Sequence, residues 1–332
     1  MKISYDIDFT KWKKFSENHP NFSIFQSVNI YKAYKKTKYY DPITISVLHN
    51  NEIVGCVLAV IKFEPYGKFT HLTKRSIIIG GPLVKDDNIQ ILEFLLKNYN
   101  IYINKKAIYT QIRNLNYLNN FNEIFLKYGF KYEDHLNIHV DLTKDYDSLY
   151  SDLNVKRRNE IKRAKREGVK FEIRSDYESL LKSYNILSEV YERAKLPLAD
   201  FSLFNEIKIQ SDKNIGLKVG IATFENKIIG CMIFLFYKNT IYDYYAGSYS
   251  KYYNKFPNQL IPWEIFNWAK QEGFKIFDFG GAGKPGIPYG VRDYKKKFGG
   301  SLINLGRYIR VHRKLLYITI KYIYGLWKRI KK

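Results

Sequence analysis

The feature that most constrains the fold is an internal repeat. Residues 51–58 read Asn-Glu-Ile-Val-Gly-Cys-Val-Leu, and residues 226–233 read Asn-Lys-Ile-Ile-Gly-Cys-Met-Ile. Each segment follows an apolar strand through a short polar turn, so each is predicted to be the second strand of a β-hairpin. A helix end, a glycine and a new strand also recur, at Gly129 and at Gly273. Two matched features in the same order predict a duplicated α/β domain.

The predicted element order supports the same division. In each half, a hairpin is followed by strands that alternate with helices, and the second half adds a basic helix and two further helices before its hairpin. Hairpins followed by β-α-β units form mixed sheets with helices on their faces. We therefore expect an α/β protein, with mixed sheets of the α+β kind, in two tandem domains. The predicted domains are residues 1–145 and residues 146–332, the second ending in a basic helix.

Composition narrows the possible functions. Lys and Arg number 55 against 32 Asp and Glu, a net charge of +23, which favours a polyanionic partner such as RNA, a nucleotide sugar or an anionic membrane face. Two cysteines exclude a disulfide scaffold and a cysteine-based zinc cluster. The N-terminus has no apolar signal-peptide core, and no uncharged stretch reaches about 18 residues. These features predict a cytoplasmic enzyme or binding protein.

Residues 155–170 hold eight basic and two acidic side chains. Such a run is usually a solvated helix face. Here, however, Arg157 and Arg158 precede the apolar Ile161 and Ala164 by one turn on the same helix face. At least one guanidinium is therefore expected beside the core, where it needs an anionic partner. This pattern predicts a phosphate or carboxylate site.

The C-terminal stretch, residues 306–332, holds nine basic side chains and no acidic one. Its apolar part, residues 315–327, is too short and is interrupted by Lys321, so it is not predicted to span a bilayer. Two interpretations stay open. The segment can be a helix docked on the core, or it can contact an anionic membrane surface through Tyr324, Trp327 and the basic residues after them.

Several catalytic motifs are excluded by their context. Residues 281–286 match G-x-G-x-x-G, but no amphipathic helix opens at the third glycine and no acid follows about 20 residues later. Asp278 and Pro285 occupy the positions where a P-loop needs Gly and Ser or Thr. His135 and His139 lie in a strand-like run, so no metal site is expected.

Six motifs follow one another between Leu153 and Gly306. They are Arg158-x-x-Ile161-x-x-Ala164-x-x-x-Gly168, Tyr191-Glu192-Arg193-Ala194-Lys195-Leu196-Pro197, Tyr244-Tyr245-Ala246-Gly247-Ser248, Phe256-Pro257-Asn258-x-x-x-x-Trp263, Asp278-Phe279-Gly280-Gly281-Ala282 and Tyr294-Lys295-x-x-Phe298-Gly299-Gly300. In order and spacing this segment resembles the Fem family (FemA/FemB/FemX type) of peptidoglycan-bridge aminoacyltransferases, whose chains hold two GNAT-like domains. The first half matches more weakly, through Phe25-Gln26-Ser27 and Lys35-Lys36. The helical-arm insertion of some members is absent, so the resemblance is to the compact, arm-less members.

The resemblance implies an enzyme that moves an aminoacyl group from aminoacyl-tRNA to an amine of a peptidoglycan precursor, a lipid-linked or UDP-linked muropeptide. Such a transfer must hold a pyrophosphate, stabilise the oxyanion of the tetrahedral intermediate and leave the attacking amine neutral. The implied role lies in cell-wall biogenesis and cell shape, with no cofactor and no metal. We expect a monomer whose membrane contact is peripheral, at the inner face.

The resemblance also implies candidate site residues. Lys295 matches the lysine of the family motif F-K-x-x-F-G, which helps the tRNA ester to leave; the alternative is a solvated member of the run Lys295–Lys297. Tyr294 stands where the family usually has Phe, and it completes the predicted catalytic pair. Arg193 matches an arginine near the nucleotide-sugar phosphates, with an exposed helix-end arginine as the alternative. Lys36 matches an N-terminal phosphate-binding lysine, again with a solvated side chain as the alternative.

Arg158, Tyr245, Asn258 and Asp278 complete the predicted substrate-binding set. Asp278 ends a strand before three glycines, and its carboxylate is expected to orient the loop by accepting backbone N–H bonds. Asn114 stands where the resemblance leads us to expect an acid. A general base is therefore not assigned, and the amine would lose its proton to water or to the substrate.

Two other functions stay open from the sequence. One is a GNAT-type acyltransferase that uses acyl-CoA on a cell-envelope polysaccharide or sugar precursor, although no Q/R-x-x-G-x-G/A phosphate loop is present. The other is a non-catalytic RNA-binding protein, which would suit the basic and aromatic surplus. That reading leaves residues 278–300 unexplained.

Overall fold

The structure is a computed structural model that describes residues 1–65 and 67–330, the last eight of them by their backbone alone. Up to residue 141 its helices and strands are β1 (Lys2–Ser4), α1 (Phe9–Glu17), α2 (Val28–Lys36), β2 (Tyr40–His49), β3 (Glu52–Lys62), β4 (Arg75–Ile79), β5 (Leu83–Val84), α3 (Ile89–Ile103), β6 (Tyr109–Arg113), α4 (Asn122–Lys127), β7 (Lys131–Glu133) and β8 (Leu136–Asp141). The later elements are α5 (Tyr146–Asp152), α6 (Val155–Arg166), β9 (Lys170–Arg174), α7 (Tyr177–Arg193), α8 (Phe201–Ile209), β10 (Ile215–Phe224), β11 (Lys227–Tyr237), β12 (Thr240–Ser248), α9 (Pro257–Gln271), β13 (Ile276–Gly281), α10 (Gly290–Lys296), β14 (Ser301–Asn304), β15 (Arg307–Val311) and α11 (Lys314–Ile330).

The chain divides into two compact units, each with its own mixed sheet. The first unit comprises residues 1–134 and the segment from Leu305 onward, and the second comprises residues 135–304. The first sheet has the strand order β1-β2-β3-β4-β6-β15-β7, with β5 paired to β3. The second has the order β14-β8-β13-β12-β11-β10-β9. This is the predicted α/β architecture with two tandem units.

The two hairpins of the repeat are built alike. In the first, Asn50 and Asn51 form the turn with positive φ of 49° and 65°, and in the second Glu225 and Asn226 do so with 49° and 59°. Two successive positive φ values define the tight turn whose twist matches paired strands. Each hairpin also shifts register beside its glycine, since Val47 pairs with Gly55 and Ala222 pairs with Gly230. The predicted hairpins and their equivalence are confirmed.

The repeated glycines are explained by helix packing. A Cβ on Gly55 would lie 2.7 Å from Cγ2 of Ile91, and a Cβ on Gly230 would lie 2.9 Å from Cβ of Pro257. Ile91 and Pro257 stand in the first turns of α3 and α9, the helices that follow each hairpin. Both distances are shorter than carbon atoms tolerate, so each unit needs glycine where its helix meets the sheet.

Each sheet contains one strand from the other half of the chain. β15 lies between β6 and β7, and β8 lies between β13 and β14. The side chains of these strands belong to the respective cores, with Tyr308 of β15 only 1% exposed and Val140 of β8 only 3% exposed. The predicted boundary at residues 145 and 146 is therefore wrong. The first unit ends at Asp134, and the C-terminal segment assigned to the second domain returns to the first.

The basic segment of the second half forms α6 as predicted, capped by Asn154, whose side chain accepts a hydrogen bond from the Lys156 amide. Gly168, with φ of 84°, follows its C-terminus. No helix in the described part of the chain is long and apolar enough to cross a membrane. The side chains of Tyr324 and Trp327, on which the predicted membrane contact partly depends, lie outside the described residues.

Because β15 belongs to the first sheet, a substitution in β15 should destabilise the first unit. Tyr308→Ala should lower the free energy of unfolding by about 3–5 kcal/mol, because it removes a buried ring that packs 4.3 Å from that of Phe125. Hydrogen exchange should show the loss of protection in residues 1–134. Leu302→Ala is the control, since Leu302 is 42% exposed on β14. Loss of protection confined to residues 135–304 would contradict the assignment of β15.

Candidate active site

In the second sheet two neighbouring parallel strands separate, whereas the corresponding strands of the first sheet stay paired. The parallel strands β12 and β13 pair over three residues only, and the pairing ends at Tyr242 and Asp278. The corresponding strands of the first unit, β4 and β6, pair over five residues, and the Gly80 amide then donates to the Arg113 carbonyl at 2.8 Å. Beyond Tyr242 and Asp278, the main-chain groups of β12 and β13 therefore do not pair with each other.

Two local features separate the strands. In β12, Tyr244 is an extra residue, because Ile233 pairs with Tyr245 while the next residue of β11 pairs with Asp243. In β13, an Asp278 carboxylate oxygen accepts from the Gly280 amide at 2.7 Å, and Gly280 takes a positive φ of 69°. The hydrogen bond expected between Asp278 and the glycine loop is thus present. Asp278 is 3% exposed, and its carboxylate also lies 3.3 Å from Nε2 of His139.

Lys295 reaches into this opening from α10. Its ammonium donates to the carbonyl oxygens of Phe279 at 2.5 Å and Gly281 at 3.2 Å, both on β13. Lys296 and Lys297 are exposed, whereas Lys295 is half-buried. Lys295 is therefore not a solvated member of the lysine run. An ammonium has three N–H donors, so one remains for a further acceptor.

Asp243 is a site residue that sequence reasoning missed. It stands half-buried at the irregular pair of β12. Burial raises the pKa of Asp243 from 3.8 to about 6, the Lys295 ammonium opposes this rise, and the Asp278 carboxylate adds to it. A carboxylate whose pKa lies near neutrality can both accept and release a proton. The sequence feature that could have pointed to Asp243 is that it is the single acidic residue in the aromatic strand Thr240–Ser248.

Aromatic side chains line the same region. The ring of Tyr245 lies 5.6 Å from that of Tyr191 and 4.9 Å from that of Phe204. Burial raises the pKa of Tyr191, and nearby Tyr245, Asp243 and Tyr289 add to the rise. Tyr245, a predicted substrate-binding residue, therefore belongs to the surroundings of Asp243.

The loop after β13 is held by an arginine that the sequence analysis did not single out. The guanidinium of Arg292 donates to the carbonyls of Lys284 at 2.8 Å, Ala282 at 3.3 Å and Ile287 at 2.5 Å. Five N–H donors in a planar fork suit such multiple contacts. Arg292 thus fixes the segment that leads from β13 to α10 and to Lys295.

Arg157 is the guanidinium beside the core, and the chain supplies its anion. It is 2% exposed, forms a 3.0 Å ion pair with Glu160 and lies 4.8 Å from the ring of Tyr294 and 4.3 Å from that of Phe298. The anionic partner predicted for this position is the Glu160 carboxylate on the same helix, so the ion pair is internal to the chain and does not mark a site for a phosphate or carboxylate ligand. Arg158 is half-exposed, and its guanidinium faces the Tyr150 ring at 5.8 Å.

The remaining predicted residues are spread over the two units. Tyr294 donates its hydroxyl to the Asn258 carbonyl at 2.5 Å, which ties α10 to the start of α9. Arg193 ends α7 with an ion pair to Glu189 at 3.3 Å, and its guanidinium donates to the Tyr253 hydroxyl at 2.6 Å. Lys36 is exposed at the end of α2, in the first unit. Their roles in substrate binding stay predictions.

Asn114 has a structural role. It is 4% exposed, and its side-chain amide donates to the Leu305 carbonyl at 2.8 Å, immediately before β15. This contact fixes the returning strand in the first unit. Among the described residues, no group of three or more His, Cys, Asp or Glu side chains could hold a metal ion.

The second unit, which contains the opened strand pair, matches a known domain family. Residues 155–296, all within the second unit, match the acetyltransferase (GNAT) domain family. No curated protein has a sequence that matches this chain significantly.

Several solved structures share the fold of this chain. A crystal structure of FemX is 17% identical, with a TM-score of 0.73 over 96% of this chain and 100% of that one. The C-terminal domain of a putative lysylphosphatidylglycerol synthetase from Agrobacterium fabrum is 13% identical, with a TM-score of 0.60 over 94% of this chain and 95% of that one. A tandem GNAT protein from the clavulanic acid biosynthesis pathway is 6% identical, with a TM-score of 0.59 over 94% and 99%. These similarities confirm the predicted tandem GNAT-like fold of the Fem type.

The contacts of Arg157 predict a contrast between two neighbouring arginines. Arg157→Ala should lower the free energy of unfolding by about 3–5 kcal/mol, because it leaves the Glu160 carboxylate without its partner. Arg158→Ala should change it by less than about 0.5 kcal/mol, since Arg158 pairs with no acidic side chain among the described residues. Urea unfolding followed by circular dichroism measures both. Equal losses would show that Arg157 is not the buried partner of Glu160.

Proposed function

We propose that this protein is an aminoacyltransferase that moves an aminoacyl group from aminoacyl-tRNA to an amine of a peptidoglycan precursor. The observation that carries the proposal is that the Lys295 ammonium and the Asp243 carboxylate both lie at the open end of β12 and β13, close enough for the ammonium to lower the pKa of the carboxyl group, inside a GNAT domain of Fem-type fold. The six sequence motifs that resemble the Fem aminoacyltransferases support it. So does the fold shared with a putative lysylphosphatidylglycerol synthetase, whose name denotes an aminoacylated lipid product.

Aminoacyl transfer requires a group that stabilises negative charge on oxygen and a group that accepts a proton from the amine, and Lys295 and Asp243 can fill these roles. The amine nitrogen attacks the ester carbonyl carbon of the aminoacyl-tRNA, which places negative charge on the carbonyl oxygen. The free N–H of the Lys295 ammonium stabilises oxygen charge, first on the intermediate and then on the leaving ribose oxygen. The Asp243 carboxylate accepts the proton that the attacking amine loses, and the resulting carboxylic acid gives this proton to the ribose oxygen as the C–O bond breaks, which restores the carboxylate. No metal or cofactor is required by this scheme.

The loop before α9 supports a tRNA donor over acyl-CoA. A CoA pyrophosphate would need free backbone amides at a helix N-terminus. At α9, however, the first residue is Pro257, which has no N–H, and the amides of Gln259 and Leu260 both bond to the Phe256 carbonyl. The net charge of +23 suits a large polyanion such as tRNA. In this proposal the protein acts in the cytoplasm in cell-wall biogenesis, with peripheral contact at the inner membrane face.

The donor and acceptor can be tested together. The protein is incubated with a muropeptide precursor and either a mixture of aminoacyl-tRNAs or acyl-CoA, and the precursor is then analysed by mass spectrometry. A mass increase of one aminoacyl residue with tRNA alone supports the proposal. An increase with acyl-CoA alone, or acylation of an envelope sugar instead of the muropeptide, would replace it with the acyl-CoA alternative.

The position of Lys295 predicts a catalytic loss without unfolding. Lys295→Ala should lower turnover more than about tenfold but lower the free energy of unfolding by only about 1–3 kcal/mol, because the variant loses two hydrogen bonds from a half-buried ammonium and keeps the packed core. Lys296→Ala, one residue away and exposed, should retain full turnover. Equal activity of the two variants would remove Lys295 from the reaction.

The raised pKa of Asp243 predicts a pH dependence of both rate and stability. Turnover should rise as pH rises through about 6, where the carboxylate loses its proton, and Asp243→Asn should lower turnover by about a hundredfold or more. Because burial favours the protonated form, the wild-type free energy of unfolding should fall as pH rises from about 4 through 6. Asp243→Asn should reduce that fall and raise the melting temperature at pH 7. A less stable variant with a normal pH profile would make Asp243 a structural residue.

A further inference from the structure

The first unit has a cleft that the proposed reaction does not use. It has a volume of 330 Å³, and its floor is apolar, formed by Ile61, Ala107 and Ile108. Its rim is charged and lies where the end of α3, the end of β3 and the start of α11 meet. An apolar floor with a polar rim is the usual form of a small-ligand site.

The rim of this cleft is cationic. Four basic side chains, those of Lys74, Lys105, Lys106 and Arg313, line it together with a single carboxylate, that of Asp41. None of the four cations forms an ion pair within the described part of the chain. Two of them lie against aromatic rings instead, since the Lys106 ammonium is 3.8 Å from the Tyr102 ring and the Lys74 ammonium is 5.9 Å from the Phe63 ring. Their positive charges are thus free for an external anion.

Arg313 connects this cleft to α11. Its guanidinium donates to the Lys105 carbonyl at 2.7 Å, and its own carbonyl accepts from the Tyr317 amide in the first turn of the helix. The inner side of α11 packs on the unit, where the Tyr317 ring meets that of Tyr109 at 5.5 Å. The start of α11 is therefore fixed beside the cationic rim.

Among the side chains of α11 that the structure describes, those on one face are apolar and exposed. Leu315, Ile318 and Tyr322 recur at helical spacing on one face, and they are 84%, 63% and 68% exposed. Lys314 and Lys321 flank this face in sequence. A row of exposed apolar side chains bordered by lysines is the pattern of a helix that lies in a membrane interface.

We infer that the Lys74–Lys105–Lys106–Arg313 cleft and the Leu315–Ile318–Tyr322 face of α11 together form a docking surface for an anionic phospholipid bilayer. The cations bind the lipid phosphates, and the apolar face enters the headgroup boundary. RNA would satisfy the cations but would leave the apolar face in water. A second copy of this basic chain would cover the apolar face but would bring more positive charge to the rim. The inference rests on the peripheral membrane contact in the proposed function and assigns the surface that makes it, and its test does not depend on the transfer reaction.

The test uses the full chain and sedimented vesicles. Binding to mixed phosphatidylglycerol–phosphatidylcholine vesicles is compared with binding to phosphatidylcholine alone. Lys105→Glu/Lys106→Glu should weaken binding to the anionic vesicles by about tenfold or more, and Ile318→Asn by about fivefold. The matched controls lie in the second unit: Lys213→Glu/Lys227→Glu makes the same change in net charge, and Ile209→Asn replaces an isoleucine that is 55% exposed. All four variants alter exposed side chains, and thermal melts check their folding.

The outcomes separate the possible occupants. Loss of anionic-vesicle binding in both test variants, with both controls unchanged, supports the inference. Equal losses in tests and controls would assign the binding to net charge alone and overturn it. Equal binding to phosphatidylcholine would remove the role of the cationic rim. A dimer that sediments in analytical ultracentrifugation and dissociates on Ile318→Asn, or weaker tRNA binding with unchanged vesicle binding in Lys105→Glu/Lys106→Glu, would assign the surface to those partners instead.

Discussion

The hydrogen bond from the Gly280 amide to the Asp278 carboxylate decides what the second unit can do. It turns β13 away from β12 just where pairing stops, and so it leaves the carbonyls of Phe279 and Gly281 free to anchor Lys295. Asp243 is half-buried and directly follows Tyr242, where the pairing of β12 with β13 ends. In the first unit the equivalent strands stay paired to their ends, and the Gly80 amide extends the pairing by one more hydrogen bond, to the Arg113 carbonyl. The two units of the same fold thus differ where β12 and β13 separate, through the extra residue Tyr244 and the Asp278–Gly280 hydrogen bond.

Much of the architecture was predictable because its causes are local. The turn residues with positive φ and the glycine that packs against a helix lie close together in the sequence of each hairpin. They produce the eight-residue pattern that occurs twice, at residues 51–58 and 226–233. The helix end at Gly168 was predictable for the same reason. The hydrogen bond between the Gly280 amide and the Asp278 carboxylate was also predictable, because the two residues are only two positions apart in the sequence. The prediction that Lys295 is a site residue depended on the family resemblance, because the run of three lysines does not itself show which side chain turns inward.

What the sequence did not reveal depends on contacts between distant residues. The domain boundary failed because β8 and β15 pair with strands far away in the chain, and no local pattern records that pairing. Arg157 was correctly placed beside the core, but its partner is Glu160 and not a ligand, and both outcomes look alike in sequence. The pKa of Asp243 reflects burial and the nearness of Lys295 and Asp278, which only the folded sheet brings together. Arg292 was missed because its partners are main-chain carbonyls, which every residue has.

The exchanged strands also set the order in which the two units can be completed as the chain is made. Residues 135–304 contain every strand of the second sheet, so that sheet can close once Asn304 has been synthesised. The first sheet lacks the strand between β6 and β7 until β15 follows. Domains normally fold from the N-terminus onward during synthesis, but here the N-terminal unit must finish last. Until then the edges of β6 and β7 have no partner, and a nascent chain carries them as open strand edges that chaperones or other chains can bind.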